Sequence, residues 1–124
     1  MDKKKILLVD DEKDIASTVC FRLKSAGYEV SCAFDGQEGF EKARNDLPDL
    51  IILDLMLPKM DGYKVCSLLK KDMRYAAIPI ILFSARAQES DKQMGQEAGA
   101  DAYIPKPFDL PVLLAKIKEL LKEA

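Results

Sequence analysis

The stretch LIILDLMLPKMDG, residues 50–62, decides how this chain is read. It is a nearly continuous apolar run broken by one carboxylate, Asp54, and closed by the turn residues Asp61-Gly62. A run of this kind fits a strand covered on both faces, as in a parallel sheet flanked by helices. A carboxylate inside such a strand is costly unless it stands at the strand's open end or meets a counter-charge. Taken alone, Asp54 could be a strand-end residue making a turn. The ends of the other strands decide against that reading.

Around this stretch, five apolar runs alternate with five segments that can be helical. Lys5–Val9 reads as the first strand, followed by a helix over about residues 12–26. There Ile15, Val19 and Leu23 form one apolar stripe, and Gly27 supplies the stop. Residues 28–33 make the second strand and Asp35-Gly36 a turn. The helix that follows, to about residue 46, is expected to bury Phe40, Ala43 and Leu47 before Pro48-Asp49 breaks it. After Gly62, a helix to about residue 72 is expected to turn Val65, Cys66, Leu69 and Met73 inward. Residues 78–83 form the fourth strand, with Pro79 near its start, where a missing N–H is tolerated. Residues 88–98 are the weakest helix, with an apolar face of little more than Met94 and Ala98, so loose and movable packing is expected. A short strand over 102–104 and a helix over about 109–123, carrying Leu110, Leu113, Ile117 and Leu120, complete the alternation. Strands alternating with helices imply a doubly wound parallel sheet joined by right-handed crossovers.

The composition narrows the function classes. At 124 residues, 48% hydrophobic and 32% charged, the chain reads as a single soluble domain over residues 1–124. Its net charge of −2, from 19 basic and 21 acidic residues, predicts no strong field for nucleic acid or membrane. The opening MDKKK precedes an apolar run too short for a signal peptide or a membrane span. Cys20, Cys32 and Cys66 lack metal-ligand spacing and, with no histidine in the chain, read as buried thiols in a reducing cytoplasm. The lack of histidine also removes the commonest general base.

The residues that follow the strands converge. The first strand ends in Asp10-Asp11, the third in Asp54, the fourth in Ser84 and the fifth in Lys106, which puts all of them on one sheet edge. Doubly wound sheets bind ligands on that edge, where the strand order reverses. With the order 2-1-3-4-5, the first and third strands are neighbours there and three carboxylates crowd together. Like charges at close range are expected to raise one another's pKa. A divalent cation resolves this, and Mg²⁺ suits a site of few carboxylates because it keeps several waters. A cation so placed keeps Asp54 ionised as a nucleophile, while Ser84 and Lys106 suit the oxygens of a transferred phosphoryl group.

The pieces LLVDDE (7–12), DLMLPKMDG (54–62), FSA (83–85) and YIPKPF (103–108) together resemble the receiver domains of bacterial two-component response regulators. The match covers essentially the whole chain in order and spacing. It implies an α/β, flavodoxin-like doubly wound (βα)5 fold with a five-stranded parallel sheet, and the strand order above is the family's own. It also implies Asp54 as phosphoacceptor, receiving a phosphoryl group from a sensor histidine kinase or a phosphotransfer protein. Asp11 and Asp54 would ligate Mg²⁺ directly, Asp10 through a bound water, and Met56 by its backbone carbonyl. Ser84 and Lys106 match the switch hydroxyl and the phosphoryl-pairing lysine, Tyr103 the switch aromatic, and a cis Lys106–Pro107 bond is implied. Phosphorylation would draw Ser84 in, turn Tyr103 inward and repack the face of the fourth helix, fifth strand and fifth helix toward a downstream effector. Such a chain is a phosphoacceptor that assists its own phosphorylation and dephosphorylation rather than an enzyme. Met56 and Arg86, beside the site, cannot accept a proton from an attacking water, which predicts a long-lived phosphorylated state. Ala85 is small, as access by a bulky phosphodonor requires. Many DNA-binding relatives dimerise through a charged network with two adjacent Asp before the switch aromatic. Here the pair reads Asp101-Ala102.

Three rivals remain. An aspartate-nucleophile phosphatase would carry a second Asp as general acid where Met56 stands. A flavodoxin-like cofactor carrier would need a Gly- or Ser/Thr-rich phosphate loop where Asp10 and Asp11 would repel a phosphate. A phosphorylation-independent protein-binding module would normally have lost an acidic residue, Ser84 or Lys106.

Overall fold

The computed structural model describes residues 3–84, 89–106 and 109–123. Strands β1 (Lys5–Val9), β2 (Glu29–Ala33), β3 (Leu50–Asp54), β4 (Ile80–Ser84) and β5 (Ala102–Pro105) alternate with five helices. These are α1 (Lys13–Ser25), α2 (Gly36–Asp46), α3 (Gly62–Lys71), α4 (Glu89–Glu97) and α5 (Leu110–Leu120). All strand pairs are parallel, in the order β2-β1-β3-β4-β5, the flavodoxin-like arrangement.

Because side chains alternate along a strand, each face of the sheet has its own core. Ile6, Leu8, Ile52, Ile81, Phe83 and Ile104 pack with Val19 and Leu23 of α1 and Leu113 and Ile117 of α5. Leu7, Val9, Ile51, Leu53, Ile80 and Leu82 pack with Ala43 of α2 and Val65, Cys66 and Leu69 of α3. Both β3 and β4 are buried along their whole length, as the apolar run predicts. Local signals set the helix ends. Asp35 caps α2 by accepting from the Glu38 N–H at 2.7 Å, and Glu38 reaches back to accept from the Phe34 N–H at 2.8 Å. Asp61 caps α3 by accepting from the Lys64 N–H at 2.9 Å.

Several expectations are corrected, mostly at helix ends. Leu47 lies just past α2 in the left-handed region (φ 47°) and is exposed, because the chain turns there instead of extending the stripe. Phe40 is only half-buried. Met73, expected inward, is 95% exposed, since α3 stops at Lys71 and the helical period no longer applies. Met94 also faces outward. Over residues 93–97 of α4 the buried one is Gly95, where a Cβ would stand 3.2 Å from Leu82 Cδ1 and 3.4 Å from Tyr103 Cδ2. Of the three thiols only Cys66 is fully buried; Cys20 and Cys32 are half-buried. No helix among the described residues is long and apolar enough to cross a membrane.

Lys70 joins three segments. Its ammonium donates to the carbonyl oxygens of Ala76 (3.1 Å) and Ile78 (2.7 Å) and pairs with Asp101 at 2.8 Å. Asp101 in turn accepts from the Ile80 N–H at 2.8 Å. The approach to β4 and the approach to β5 are therefore tied together from the end of α3.

Candidate functional site

Alternation sorts the polar residues of the C-terminal sheet edge. Asp54 follows Ile52 by two residues, its register partner on β4 is Phe83, and the partner of Phe83 on β5 is Ile104, two residues before Lys106. Asp54, Phe83 and Lys106, with Asp10 two residues after Leu8, thus belong to the face covered by α1 and α5. Ser84 and Tyr103 belong to the opposite face.

The contacts agree. Lys106 Nζ lies 3.0 Å from Asp54 Oδ2 and 3.3 Å from Asp10 Oδ2, and 4.6 Å from the centroid of the Phe83 ring. Asp10 is fully buried and Asp54 nearly so, while Asp11 is exposed. The second oxygen of each buried carboxylate accepts from a backbone N–H: Asp10 Oδ1 from Glu12 at 2.9 Å, Asp54 Oδ1 from Met56 at 3.2 Å. Gly62 lets α3 start close behind the strand end, because a Cβ there would stand 2.3 Å from the carbonyl oxygen of Asp54. The Gly62 N–H donates to the Leu55 carbonyl oxygen at 2.9 Å, fixing the loop that leaves Asp54.

Burial pushes the Asp54 carboxyl above the usual aspartate range. The hydrogen bond and charge of Lys106 and the Met56 N–H oppose the rise without cancelling it, and Asp10 adds a smaller upward push. The expected upward push of like charge on Asp54 is present but smaller than that of burial, and a lysine sits between the two buried carboxylates. For Lys106, burial pulls the ammonium down. The hydrogen bond and charge of Asp54, then those of Asp10, outweigh it and the net direction is upward.

One carboxylate oxygen from each of Asp10, Asp11 and Asp54 falls within 4.8 Å of the others. Such an all-oxygen, acidic donor set fits Mg²⁺, which binds through a few carboxylates and completes its shell with water. One member of the set is exposed, leaving an open side.

The structure thus brings together Asp10, Asp11, Asp54 and Lys106, with Met56 61% exposed at the rim. Ser84 is buried, and its carbonyl oxygen accepts from the Lys106 N–H at 2.7 Å. Tyr103 is half-buried against the core of the α2/α3 face. Ala85, Arg86 and Pro107, and with it the Lys106–Pro107 bond, lie outside the described residues. Two participants were not expected from the sequence. The Glu12 N–H could not be assigned without the local turn. Phe83 read as core, although its place beside Asp54 on the neighbouring strand was a usable signal.

The family model described as response regulator receiver domain matches residues 6–118. The chain is 46% identical over 118 residues to the DNA-binding dual master transcriptional regulator RpaA of a Synechocystis species, covering 95% of this chain and 49% of that protein. It spans about half the length of the curated relatives it matches. Among solved structures, a CheY-like response regulator receiver domain protein from Methanospirillum hungatei superposes with a TM-score of 0.92. It shares 35% identity, with 98% of this chain and 95% of that one covered. The receiver domain of a sensor histidine kinase from Pseudomonas aeruginosa superposes with a TM-score of 0.90 at 28% identity, covering 98% of this chain and all of that one. It holds a magnesium ion coordinated in its active-site cleft.

Proposed function

This chain belongs to the response regulator receiver domain family, and on that premise we propose that Asp54 is its phosphoacceptor. The observation that carries the proposal is the ammonium of Lys106 bridging Asp54 (3.0 Å) and Asp10 (3.3 Å) beside a cluster of three carboxylates. A carboxylate oxygen of Asp54 attacks the phosphorus of a phosphohistidine on a sensor histidine kinase or phosphotransfer protein. An O–P bond forms, the P–N bond breaks, and the imidazole nitrogen leaves with the bonding pair. Lys106 turns from the carboxylate it now contacts to the oxygens of the arriving group, where charge accumulates. Asp10, Asp11, Asp54 and the Met56 backbone carbonyl are the residues that would hold Mg²⁺. Bound there, Mg²⁺ supplies the positive charge that keeps Asp54 ionised and offsets the incoming phosphoryl oxygens.

Ser84 and Tyr103 are the switch pair. They share the sheet face opposite Asp54, and β5 with its flanking helices α4 and α5 is the face that repacks for a downstream effector or output domain. The chain assists its own phosphorylation and the later hydrolysis of the acyl phosphate, and Met56 at the rim supports a slow hydrolysis. Direct nucleic-acid binding is not assigned to residues 1–124, read as one receiver domain, in view of their net charge of −2. Three free cysteines, and no membrane-spanning helix among the described residues, support a cytoplasmic location.

The test is intact mass after incubation with Mg²⁺ and a small phosphodonor. Wild type gains one phosphoryl group, Asp54→Ala gains none, and a chelator abolishes the gain. An unmodified wild type, also when its donor is a phosphorylated histidine protein, overturns this reading in favour of a phosphorylation-independent binding module.

A further inference from the structure

Lys106 has four flexible carbons with which to miss its target, and one of the two carboxylates it contacts, Asp54, is the group that phosphorylation alters. Once Asp54 becomes an acyl phosphate its carboxylate charge is gone, and the balance between Asp54 and Asp10 shifts. Two contacts are left chemically unchanged by phosphorylation, the Asp10 carboxylate at 3.3 Å and the face of the Phe83 ring, 4.6 Å from Nζ. Phe83 is 2% exposed and is the register partner of both Asp54 and Ile104, so its ring stands between the nucleophile's strand and the strand that delivers Lys106. Its backbone is fixed as well, since the Phe83 carbonyl oxygen accepts from the Leu55 N–H at 3.2 Å. A leucine would fill the core comparably. Only an aromatic ring presents a negative face to an ammonium, and such an attraction is strongest where water is excluded.

We propose that Phe83 is a positioning residue, whose ring holds the Lys106 ammonium over Asp54 before and after phosphoryl transfer. The inference rests on the phosphoacceptor reading for its purpose, but the hold itself is measurable without any transfer. It requires an electrostatic ring effect at a single residue, distinct from the packing that any large apolar side chain provides.

The experiment replaces Phe83 site-specifically with mono-, di- and trifluorophenylalanine, which keep the ring's shape while draining charge from its face. Two quantities are followed in the full chain: the rate at which Lys106 is acylated by a small activated ester, read by peptide mass, and the rate of phosphoryl uptake at Asp54. Acylation of Lys106 is expected to rise stepwise along the series and uptake to fall stepwise. The span expected for each is about threefold to thirtyfold, the range of a partly to fully desolvated cation–π contact. Acylation of the exposed Lys64 serves as the internal reference. A flat Lys106 response overturns the proposal, because packing alone would survive fluorination. A graded Lys106 response in a protein that takes up no phosphoryl group, even without fluorine, supports the hold and overturns the phosphoacceptor reading instead. Phe83→Leu provides a second check. It should expose Lys106 to acylation by at least as much as the trifluorinated ring, and unaltered protection there also overturns the proposal.

Discussion

Lys106→Met removes the ammonium and keeps most of the stem's volume, so it isolates the charge at the centre of the site. In the wild type that charge sits between two carboxylates whose side chains are 0% and 6% exposed. Without it, each keeps one backbone donor, Glu12 N–H for Asp10 and Met56 N–H for Asp54. Breaking a buried ion pair by deleting one partner costs about 3–5 kcal/mol, chiefly because the remaining charge stays desolvated. The low end applies here, since Asp54 is already pushed toward its neutral form by burial and can take up a proton. The expected loss for the metal-free protein at neutral pH is about 3 kcal/mol, equivalent to a fall in Tm of about 10 °C for a chain of this length. The loss should shrink as the pH is lowered toward 5. The Asp54 carboxyl, already raised by burial, is raised further without its counter-charge, so the folded state binds more protons than the unfolded state and gains stability on acidification. Urea unfolding with chelator present, at both pH values, measures this. Adding Asp54→Asn to Lys106→Met should restore more than half of the loss. A change below about 0.5 kcal/mol, the scale of an exposed pair, would refute the reasoning. A loss that is the same at both pH values would do so equally.

Asp54→Asn alone should stabilise the metal-free protein at neutral pH by about 1 kcal/mol, the scale of removing an imperfectly compensated buried charge. Because the folded-state pKa of Asp54 is raised above its ordinary 3.8, wild-type stability should decline as pH rises from there through the folded value, and the variant's urea midpoints should show a flatter slope. Asp101→Ala leaves the buried Ile80 N–H without its acceptor and Lys70 without its ion pair. A loss of about 1–3 kcal/mol is expected in urea, and a neutral result would mean that water replaces the carboxylate. Met56→Asn places at the rim an amide able to orient water. The half-life of phosphorylated protein, followed by intact mass, should shorten by about tenfold, and an unchanged or longer half-life counts against slow hydrolysis being set there.

Much of this was legible because it is local or periodic. The alternation of apolar runs with helical stripes predicts all five strands to within two residues, and the sheet edge follows from which residues end each strand. The inward assignments of Leu47 and Met73 failed because a period was carried past the helix end, where the backbone no longer obeys it. Met94 failed for a different reason: on a short helix lying close to β5, glycine packs inward where a Cβ would crowd the side chains of Leu82 and Tyr103. The bridge from Lys106 to Asp54 and Asp10 spans 52 and 96 residues of sequence, so no local pattern could reveal it. What the sequence did show was that an ammonium and three carboxylates share an edge. Their order of influence on Asp54, burial ahead of like charge, required the burial itself.

Phe83 and Ser84 are consecutive residues whose side chains belong to opposite faces of one sheet. Phe83 touches the lysine beside Asp54, and Ser84 lies on the side that carries Tyr103. The two are joined by a single planar peptide unit, the shortest covalent link between the two faces of a strand. On the phosphoacceptor reading, the sheet is a bulkhead and this unit a short crank through it. Chemistry at Asp54 would then have a route to the Tyr103 side that does not deform the whole domain. Each side can also change its outer surface, and with it the company it keeps, without rebuilding the crank.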